Sequence, residues 1–218
     1  MKGGTGEYKY PPGGHKPEYE TLCMFGTNCL NNNLDSIIMA NDICNRYGLD
    51  TISAGAAIAM AIECYENGLI TREDTGGIEM TWGNHKAIVA MTEKLARREG
   101  FGDILADGVK AAAEKIGKGA DKFAMHIQGQ EFPAHDPKYG FNWAIAYKMD
   151  ATPGRHCQGP GKPIDGLPLP PFDRMSQQGM QPGYKAGTNF MHVIQSLGQC
   201  IFVYWAMPNI EAQMDAIK

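Results

Sequence analysis

The stretch NDICNRYGLDTISAG, residues 41–55, decides how the chain folds, because one helix ends in it and another begins. Gly48 suits the left-handed residue that ends a helix, since glycine has no side chain to oppose a positive φ. Asp50 is a typical N-cap for a helix that begins at Thr51. Such a joint brings backbone N–H groups and a carboxylate to one small volume, which favours a ligand rich in hydrogen-bond donors and phosphates.

A second hexad repeats this layout far along the chain. Residues 45–50 read NRYGLD and residues 195–200 read QSLGQC, so each has a polar residue, a glycine three positions later and Asp50 or Cys200 at its end. The repetition predicts that the two hexads bind opposite sides of one ligand. The pattern is common in proteins and therefore weak. Helix capping alone accounts for Asp50, and burial as a small apolar thiol accounts for Cys200.

Helical patterns occupy most of the chain around this joint, so we predict a mainly α protein. Asp35 is expected to cap the helix before the joint, and Asn84 is expected to cap a later amphipathic helix. If the segment that contains Glu18 and Glu20 were extended, both acids would lie on the same side. Further helices are expected at residues 51–67, 103–117, 141–151 and 189–206, a short strand within 123–131, and irregular structure over the Gly- and Pro-rich residues 158–187.

The composition is that of an ordinary globular protein, with 218 residues of which 43% are hydrophobic and 20% charged. A net charge of −4 and the lack of a basic stripe argue against binding to nucleic acid or to an anionic membrane. The six cysteines form no Cys-x-x-Cys pair, which argues against a zinc ribbon or a disulfide scaffold. The sequence has neither a transmembrane-length apolar run nor a signal-peptide pattern, so we predict a cytoplasmic location.

A change of sequence texture near residues 118–122 predicts a domain boundary. We therefore expect a loop or disordered start at residues 1–17, one helical domain at 18–120 and a second at 121–218. Both ends of the chain look cut, so the second domain is expected to be incomplete.

Two side chains are candidates for proton transfer. Glu20 lies beside apolar residues and, if desolvated, would suit acid–base chemistry, although a surface carboxylate is the simpler explanation. His156 lies in a loop just before the Gly- and Pro-rich segment, and loops that are held on a rigid scaffold often carry catalytic groups.

Several blocks together resemble the tungsten-containing aldehyde:ferredoxin oxidoreductase family in order and spacing. These blocks are PEYETLCMFGTNC, NRYGLDTISAG, REGFGDILADG, FPAHDP and ATPGRH, and the resemblance extends over about residues 17–207. It falls on the two carboxy-terminal helical domains of that family. The fold it implies is mainly α, with two helical domains of which the second is incomplete.

The resemblance implies a tungsten or molybdenum ion held by two pterins, a [4Fe–4S] cluster, and oxidation of aldehydes to acids with electrons passed to ferredoxin or another electron-transfer subunit. It is compatible with magnesium as a further ion and with a homodimer. Glu20 and His156 match the residues proposed to assist proton transfer in the family. The pterin-binding hexads match Asn45, Gly48, Leu49 and Asp50, and then Gln195, Gly198 and Gln199, with Cys200 as a cluster ligand.

This sequence departs from the family pattern at three points. Asn45 and Gln195 replace the opening Asp of each hexad, and Gln199 replaces a Leu. An amide offers one neutral acceptor where a carboxylate accepts charge-assisted bonds, at a cost of about 1–2 kcal/mol. The family's first three cluster cysteines and its amino-terminal pterin domain have no counterpart here, so we expect the isolated chain to bind no cofactor and to be inactive. The tungsten subunit of an aryl-CoA reductase of the benzoyl-CoA type and an inactive helical binding module stay open as alternatives.

Overall fold

The structure is a computed structural model that describes residues 1–156, 173, 175, 176, 178, 180–198, 202 and 206. It is mainly helical, which confirms the predicted fold class. The chain forms two compact units, Met1–Ala134 and His135–Lys218. The change in sequence character at residues 118–122 lies inside the first unit. The predicted division into domains at residue 120 stays a prediction. None of the helices described is long and apolar enough to cross a bilayer.

The first unit is a helical assembly with one small hairpin. Its helices are α1 Tyr19–Phe25, α2 Leu34–Tyr47, α3 Thr51–Glu66, α4 His85–Arg97, α5 Phe101–Leu105 and α6 Gly108–Ile116, and its strands are β1 His126–Ile127 and β2 Gln130–Glu131. The strands pair antiparallel. The predicted strand in this region is therefore a two-stranded hairpin. Residues 1–17 contain no helix or strand.

Helix α3 is the centre of this unit, because its alanines and isoleucines are buried on nearly every side. Helix α1 packs directly on it. A Cβ built on Gly55 would lie 2.6 Å from the Met24 Cβ, so only glycine permits this close approach of the two helices. Buried side chains from α2, α4, α5 and α6 complete the same core, as the apolar periodicity predicts.

The α2–α3 joint forms as the sequence predicts. Gly48 has φ 70° and its N–H donates to the Cys44 carbonyl, which ends α2 in the left-handed conformation. The Asp50 carboxylate caps α3 by accepting hydrogen bonds from the N–H groups of Ile52 at 2.8 Å and Ser53 at 3.1 Å.

The predicted cap of α2 is wrong by two residues. Asn33 is the N-cap, and its side-chain oxygen accepts from the Ser36 N–H at 2.9 Å. Asp35 lies in the first turn, where its carboxylate accepts from the Tyr10 hydroxyl at 3.0 Å. Both residue types suit a helix start, and the extended backbone of Asn33 decides between them. The predicted cap of α4, Asn84, is confirmed, since it accepts from the Ala87 N–H.

The single helix predicted over residues 103–117 is instead the pair α5 and α6. The break lies at Gly108, whose φ of 87° cannot belong to a continuous α-helix. The buried carboxylate of Glu131 accepts from the Val109 N–H at 2.7 Å, so it supplies an acceptor to the first turn of α6 from 22 residues away. Such a partner cannot be read from local sequence.

In the second unit the described helices are α7, Phe141–Met149, and α8, Met180–Ser196. The prediction of a helix at residues 141–151 is confirmed with a slightly earlier end. The irregular segment was predicted to reach residue 187, which is wrong, since α8 begins at Met180. Pro182 falls in the first turn of α8, where its missing N–H is of no consequence. The Tyr184 hydroxyl donates to the Asp150 carboxylate and thereby connects α8 to the end of α7.

Candidate functional site

Glu20 is a buried carboxylate, with 7% of its surface exposed. Helix formation at Tyr19–Phe25, rather than an extended strand, separates the two acids of this segment. Glu18 lies at the N-cap position and is exposed, whereas Glu20 lies in the first turn and faces the protein. The extended arrangement, in which the two acids would share one side, is therefore not formed. Glu20, for which a surface position was the simpler explanation, is buried.

Helix α1 binds the backbone of Ala134 at two atoms. The Ala134 N–H donates to Glu20 Oε2 at 2.7 Å, and its carbonyl accepts from the Tyr19 hydroxyl at 3.0 Å. A backbone N–H that donates to a carboxylate forms a charge-assisted bond, which is stronger than a neutral one. Glu20 therefore orients the chain at Ala134, within the PAHDP turn, a role that the sequence did not indicate.

The first hexad lies beside the start of α1. The hydroxyls of Thr21 and Thr51 are 2.9 Å apart, and these residues directly follow Glu20 and Asp50 in the chain. Helices α1 and α3 thus begin side by side. The structure therefore places Glu20 and Asp50, the last residue of the first hexad, near each other in the first unit. Neither the hexad pattern nor the helical periodicity predicts this proximity.

Within the first hexad, the side chains differ in exposure. Asn45 and Gly48 are exposed, whereas Leu49 and Asp50 are partly buried. A Cβ built on Gly48 would meet no heavy atom within 4 Å, so the space beside this glycine is open. The Asp50 carboxylate is oriented by two backbone N–H groups of α3 and is rigid for that reason.

The described part of the second hexad has the same local geometry. Gln195 lies in the last turn of α8, as Asn45 does in α2, and Gly198 follows with φ 66°. The Gly198 N–H donates to the Gln195 carbonyl at 3.0 Å. Both hexads therefore begin in the last turn of a helix and turn at a left-handed glycine. The remaining predicted residues of this hexad, Gln199 and Cys200, lie outside the described residues.

Three cysteines of the first unit belong to its hydrophobic core. Cys29, Cys44 and Cys64 are buried free thiols. Burial raises the pKa of Cys44 to about 12, with a smaller contribution from the nearby Asp50 carboxylate. Burial likewise raises the pKa of Cys29 to about 12. A thiol in this state is protonated at neutral pH, and these buried cysteines pack as small apolar side chains of the core.

His156 lies in the second unit, next to two aromatic rings. Its imidazole stacks on that of His135, with centroids 4.4 Å apart and an interplanar angle of 17°. Trp143 of α7 packs against His135 at 4.7 Å and lies edge-on to His156 at 6.4 Å. Neither His135 nor Trp143 is among the site residues predicted from the sequence. The FPAHDP block contained the only available signal, since His135 is one of the residues that carry the family resemblance.

The comparison with protein families gives one match over almost the whole chain. A family model described as "Aldehyde ferredoxin oxidoreductase, domains 2 & 3" matches residues 1–217. This agrees with the mainly helical fold and with the blocks that carry the resemblance.

Curated relatives are similar over about two thirds of the chain. The tungsten-containing aldehyde ferredoxin oxidoreductase of Pyrococcus horikoshii is 42% identical over 65% of this chain, and that of Pyrococcus furiosus is 40% identical. The WOR-like subunit of an aliphatic sulfonate oxidoreductase of Pyrococcus furiosus is 33% identical over 69% of this chain. The chain spans about a quarter of the length of these relatives, 24% in the first case.

A solved structure is also similar. The active site complex BamBC of benzoyl coenzyme A reductase, bound to 1,5-dienoyl-CoA, aligns with 71% of this chain and 23% of its own. The TM-score is 0.55 and the sequence identity is 25%.

Proposed function

Because the chain belongs to the aldehyde ferredoxin oxidoreductase family, to its domains 2 and 3, we propose that it is part of an enzyme that oxidises aldehydes to carboxylic acids. The observation that carries this proposal is the 42% identity with a tungsten-containing aldehyde ferredoxin oxidoreductase over 145 residues. The reaction consumes an aldehyde and one water, and it releases an acid, two electrons and two protons. The electrons would leave through a [4Fe–4S] cluster to ferredoxin or to another electron-transfer subunit.

The first hexad fits a polar heterocycle such as a pterin. Asn45 is exposed, the space beside Gly48 is open, and the Asp50 carboxylate is oriented by α3. Asn45, Leu49 and Asp50 would therefore bind one pterin, and Gln195 with Gly198 and Gln199 would bind its partner at the second hexad. The N-terminus of α3 adds a positive partial charge, which would favour a phosphate of a pterin bound at this hexad.

The cofactor, when bound, supplies the two-electron oxidation that no side chain of this chain can perform. Asn45 replaces a carboxylate, so it would accept one neutral hydrogen bond instead of charge-assisted ones. Cys200 would be one cluster ligand, a role that rests on the family resemblance alone because Cys200 is outside the described residues. We propose magnesium only as a further ion that the pterin phosphates would attract.

Glu20 and His156 are the residues that we propose for proton transfer. Glu20 is buried, and its Oε2 is already engaged by the Ala134 N–H, which limits its freedom to rotate. A fixed carboxylate in a desolvated position suits the transfer of a proton to or from a reacting oxygen. His156, in a loop of the second unit, would provide the second proton-transfer group.

The test is an assay of aldehyde-dependent electron transfer with the complete tungsten-loaded enzyme that contains this chain. We expect aldehydes to reduce ferredoxin or an artificial one-electron acceptor. One molecule of acid should form for every two electrons transferred. No reduction with a broad panel of aldehydes would overturn the proposal.

A second function is favoured by one specific observation, the structural likeness to the BamBC complex. In that case the chain would belong to the tungsten subunit of an aryl-CoA reductase, which reduces an aromatic thioester. The same enzyme preparation separates the two proposals. Reduction of an aryl-CoA by a strong one-electron donor, without aldehyde oxidation, would favour the reductase.

A further inference from the structure

Three aromatic rings of the second unit form one cluster. His135 contacts both of the others, with its imidazole stacked on His156 at 4.4 Å and tilted by 57° against Trp143 at 4.7 Å, while Trp143 also lies edge-on to His156 at 6.4 Å. A near-parallel pair of rings at this distance excludes water from the shared face and restricts rotation of both rings. The imidazole of His156 therefore has one face defined by His135.

Helix α7 holds His135 at two places. Trp143 contacts its ring, and the Tyr147 hydroxyl donates to its backbone carbonyl at 2.6 Å. Trp143 and Tyr147 are four residues apart, so they project from the same side of α7. The Tyr147 side chain is buried, so the position of its hydroxyl is restricted. His135 is thus attached to a regular helix through both its ring and its backbone.

His156 belongs to a loop of the second unit. It lies in the turn that follows Thr152, outside any helix or strand of the described chain. A proton-transfer group must be kept close to one orientation, since small displacements are costly to the rate. From these contacts we infer that His135 is a positioning residue, which holds the imidazole of His156 in its orientation by ring stacking. This inference rests on the proposed role of His156 in the reaction.

Stacking depends on the plane of the ring and not on its nitrogen atoms. His135→Phe keeps a planar ring at this position, whereas His135→Ala removes it. We expect His135→Ala to lower the kcat of the complete tungsten-loaded enzyme between about 10- and 100-fold, with KM little changed. His135→Phe should retain most of the turnover. His192→Ala is the matched control, because His192 is an exposed histidine of the same unit, and it should leave kcat unchanged.

If His135→Phe loses as much turnover as His135→Ala, a ring nitrogen of His135 is required and the inference is wrong. It is also wrong if His135→Ala turns over as fast as the unmodified enzyme.

Nuclear magnetic resonance of the isotopically labelled histidines in the 218-residue chain tests the stack without any activity. The chain has only six histidines, so His156→Gln assigns the His156 ring signals by their disappearance. We expect these signals to be shifted upfield by the neighbouring rings, to keep that shift in His135→Phe, and to move toward the position of exposed His192 in His135→Ala. Unchanged His156 signals in His135→Ala would overturn the inference. An enzyme without aldehyde activity that still gives the expected shifts would overturn the proposed function and leave the stack supported.

Discussion

At the scale of single residues, Glu20 joins a structural contact to a proposed chemical role. Its carboxylate accepts the Ala134 N–H at 2.7 Å inside the first unit. Truncation of the Glu20 side chain therefore changes two things at once, the hydrogen bond to the backbone and the capacity to take a proton. The two effects are separable, because an amide keeps an acceptor oxygen and loses the proton-transfer group.

We expect Glu20→Gln to abolish turnover of the complete enzyme while tungsten is retained, because the amide still accepts the Ala134 N–H and cannot take a proton. Glu20→Ala should also lose about 1 kcal/mol in the free energy of unfolding, since the partly buried Ala134 N–H is left without this acceptor. Steady-state kinetics, metal analysis and urea denaturation measure these effects. Glu18→Gln, at an exposed neighbour, is the control. Full turnover of Glu20→Gln would remove Glu20 from the mechanism.

Asp50 is a residue whose structural role is defined by its contacts. Asp50→Ala should lower the free energy of unfolding by about 1 kcal/mol, because α3 loses an acceptor for two N–H groups, whereas Asp50→Asn should lose much less. Asp42→Ala removes only the exposed ion pair with Arg46 and should cost less than about 0.5 kcal/mol. Equal losses for Asp50→Ala and Asp50→Asn in urea denaturation would contradict the capping role.

At the scale of helices, the first unit depends on the close packing of α1 against α3. The backbone of Met24 lies so near Gly55 that a methyl group does not fit without movement of one helix. Because α1 carries Glu20 and α3 begins at the cap Asp50, their packing also sets the relative position of these two residues. A change at Gly55 should therefore affect both stability and the candidate site.

We expect Gly55→Ala to reduce the free energy of unfolding by about 1–3 kcal/mol, the usual cost of overpacking. Gly6→Ala is a control in the same unit, because a Cβ at Gly6 would meet nothing within 4 Å. Chemical denaturation of the 218-residue chain measures both. A Gly55→Ala variant as stable as the unmodified chain would show that α1 and α3 can move apart without a loss in the free energy of unfolding.

The contact between α7 and α8 predicts a dependence of stability on pH. Burial raises the pKa of Tyr184 well above its usual range, and the hydrogen bond to Asp150 raises it further. A pKa that is higher in the folded state stabilises the fold fully below about pH 10, the unfolded value, and the stabilisation is lost as the pH rises above that value. Tyr184→Phe should cost about 1–2 kcal/mol at pH 7 and should weaken the loss of stability above pH 10. Urea denaturation at a series of pH values measures the free energy of unfolding of both proteins. If the unmodified chain and Tyr184→Phe lose the same stability above pH 10, Tyr184 is not the cause of that loss.

Local signals explain which elements were predictable. The α2–α3 joint was predicted correctly because its glycine, its cap and their partners lie within ten residues of one another. Helix α1 was not, because seven residues form a helix only through packing on α3 and through contacts with Ala134. The stack of His135 on His156 joins residues 21 positions apart through a loop, and no periodic pattern marks such a pair.

At the scale of the whole molecule, the chain corresponds to about a quarter of its relatives, 24% of the Pyrococcus horikoshii protein. The residues proposed here for pterin and cluster binding are therefore a part of a larger set. In our proposal this chain contributes two hexads and one cluster ligand, and a [4Fe–4S] cluster needs four ligands.

We expect the purified 218-residue chain to contain neither tungsten nor iron. Cys200, the single cluster ligand proposed here, cannot hold a cluster alone, and two hexads cannot enclose two pterins. Elemental analysis by plasma mass spectrometry, after removal of loosely bound metal, measures this. The complete enzyme, purified in parallel, is the control and should contain both metals. Stoichiometric iron in the isolated chain would contradict the expectation.

The two contacts that surround the candidate site close chain loops of very different length. At the α2–α3 joint the Leu49 N–H reaches the Cys44 carbonyl at 2.8 Å, five residues away, whereas the Glu20 carboxylate meets an N–H that is 114 residues away. Closing the longer loop costs more chain entropy, so this contact is expected to form only after the first unit has become compact. The α2–α3 joint is therefore expected to form early and the Glu20 contact late, so the residues proposed to bind a pterin at this joint would be in place before the carboxylate is. Pulsed hydrogen exchange during refolding tests this order: the Leu49 amide should gain protection before the Ala134 amide, and the reverse order would refute it.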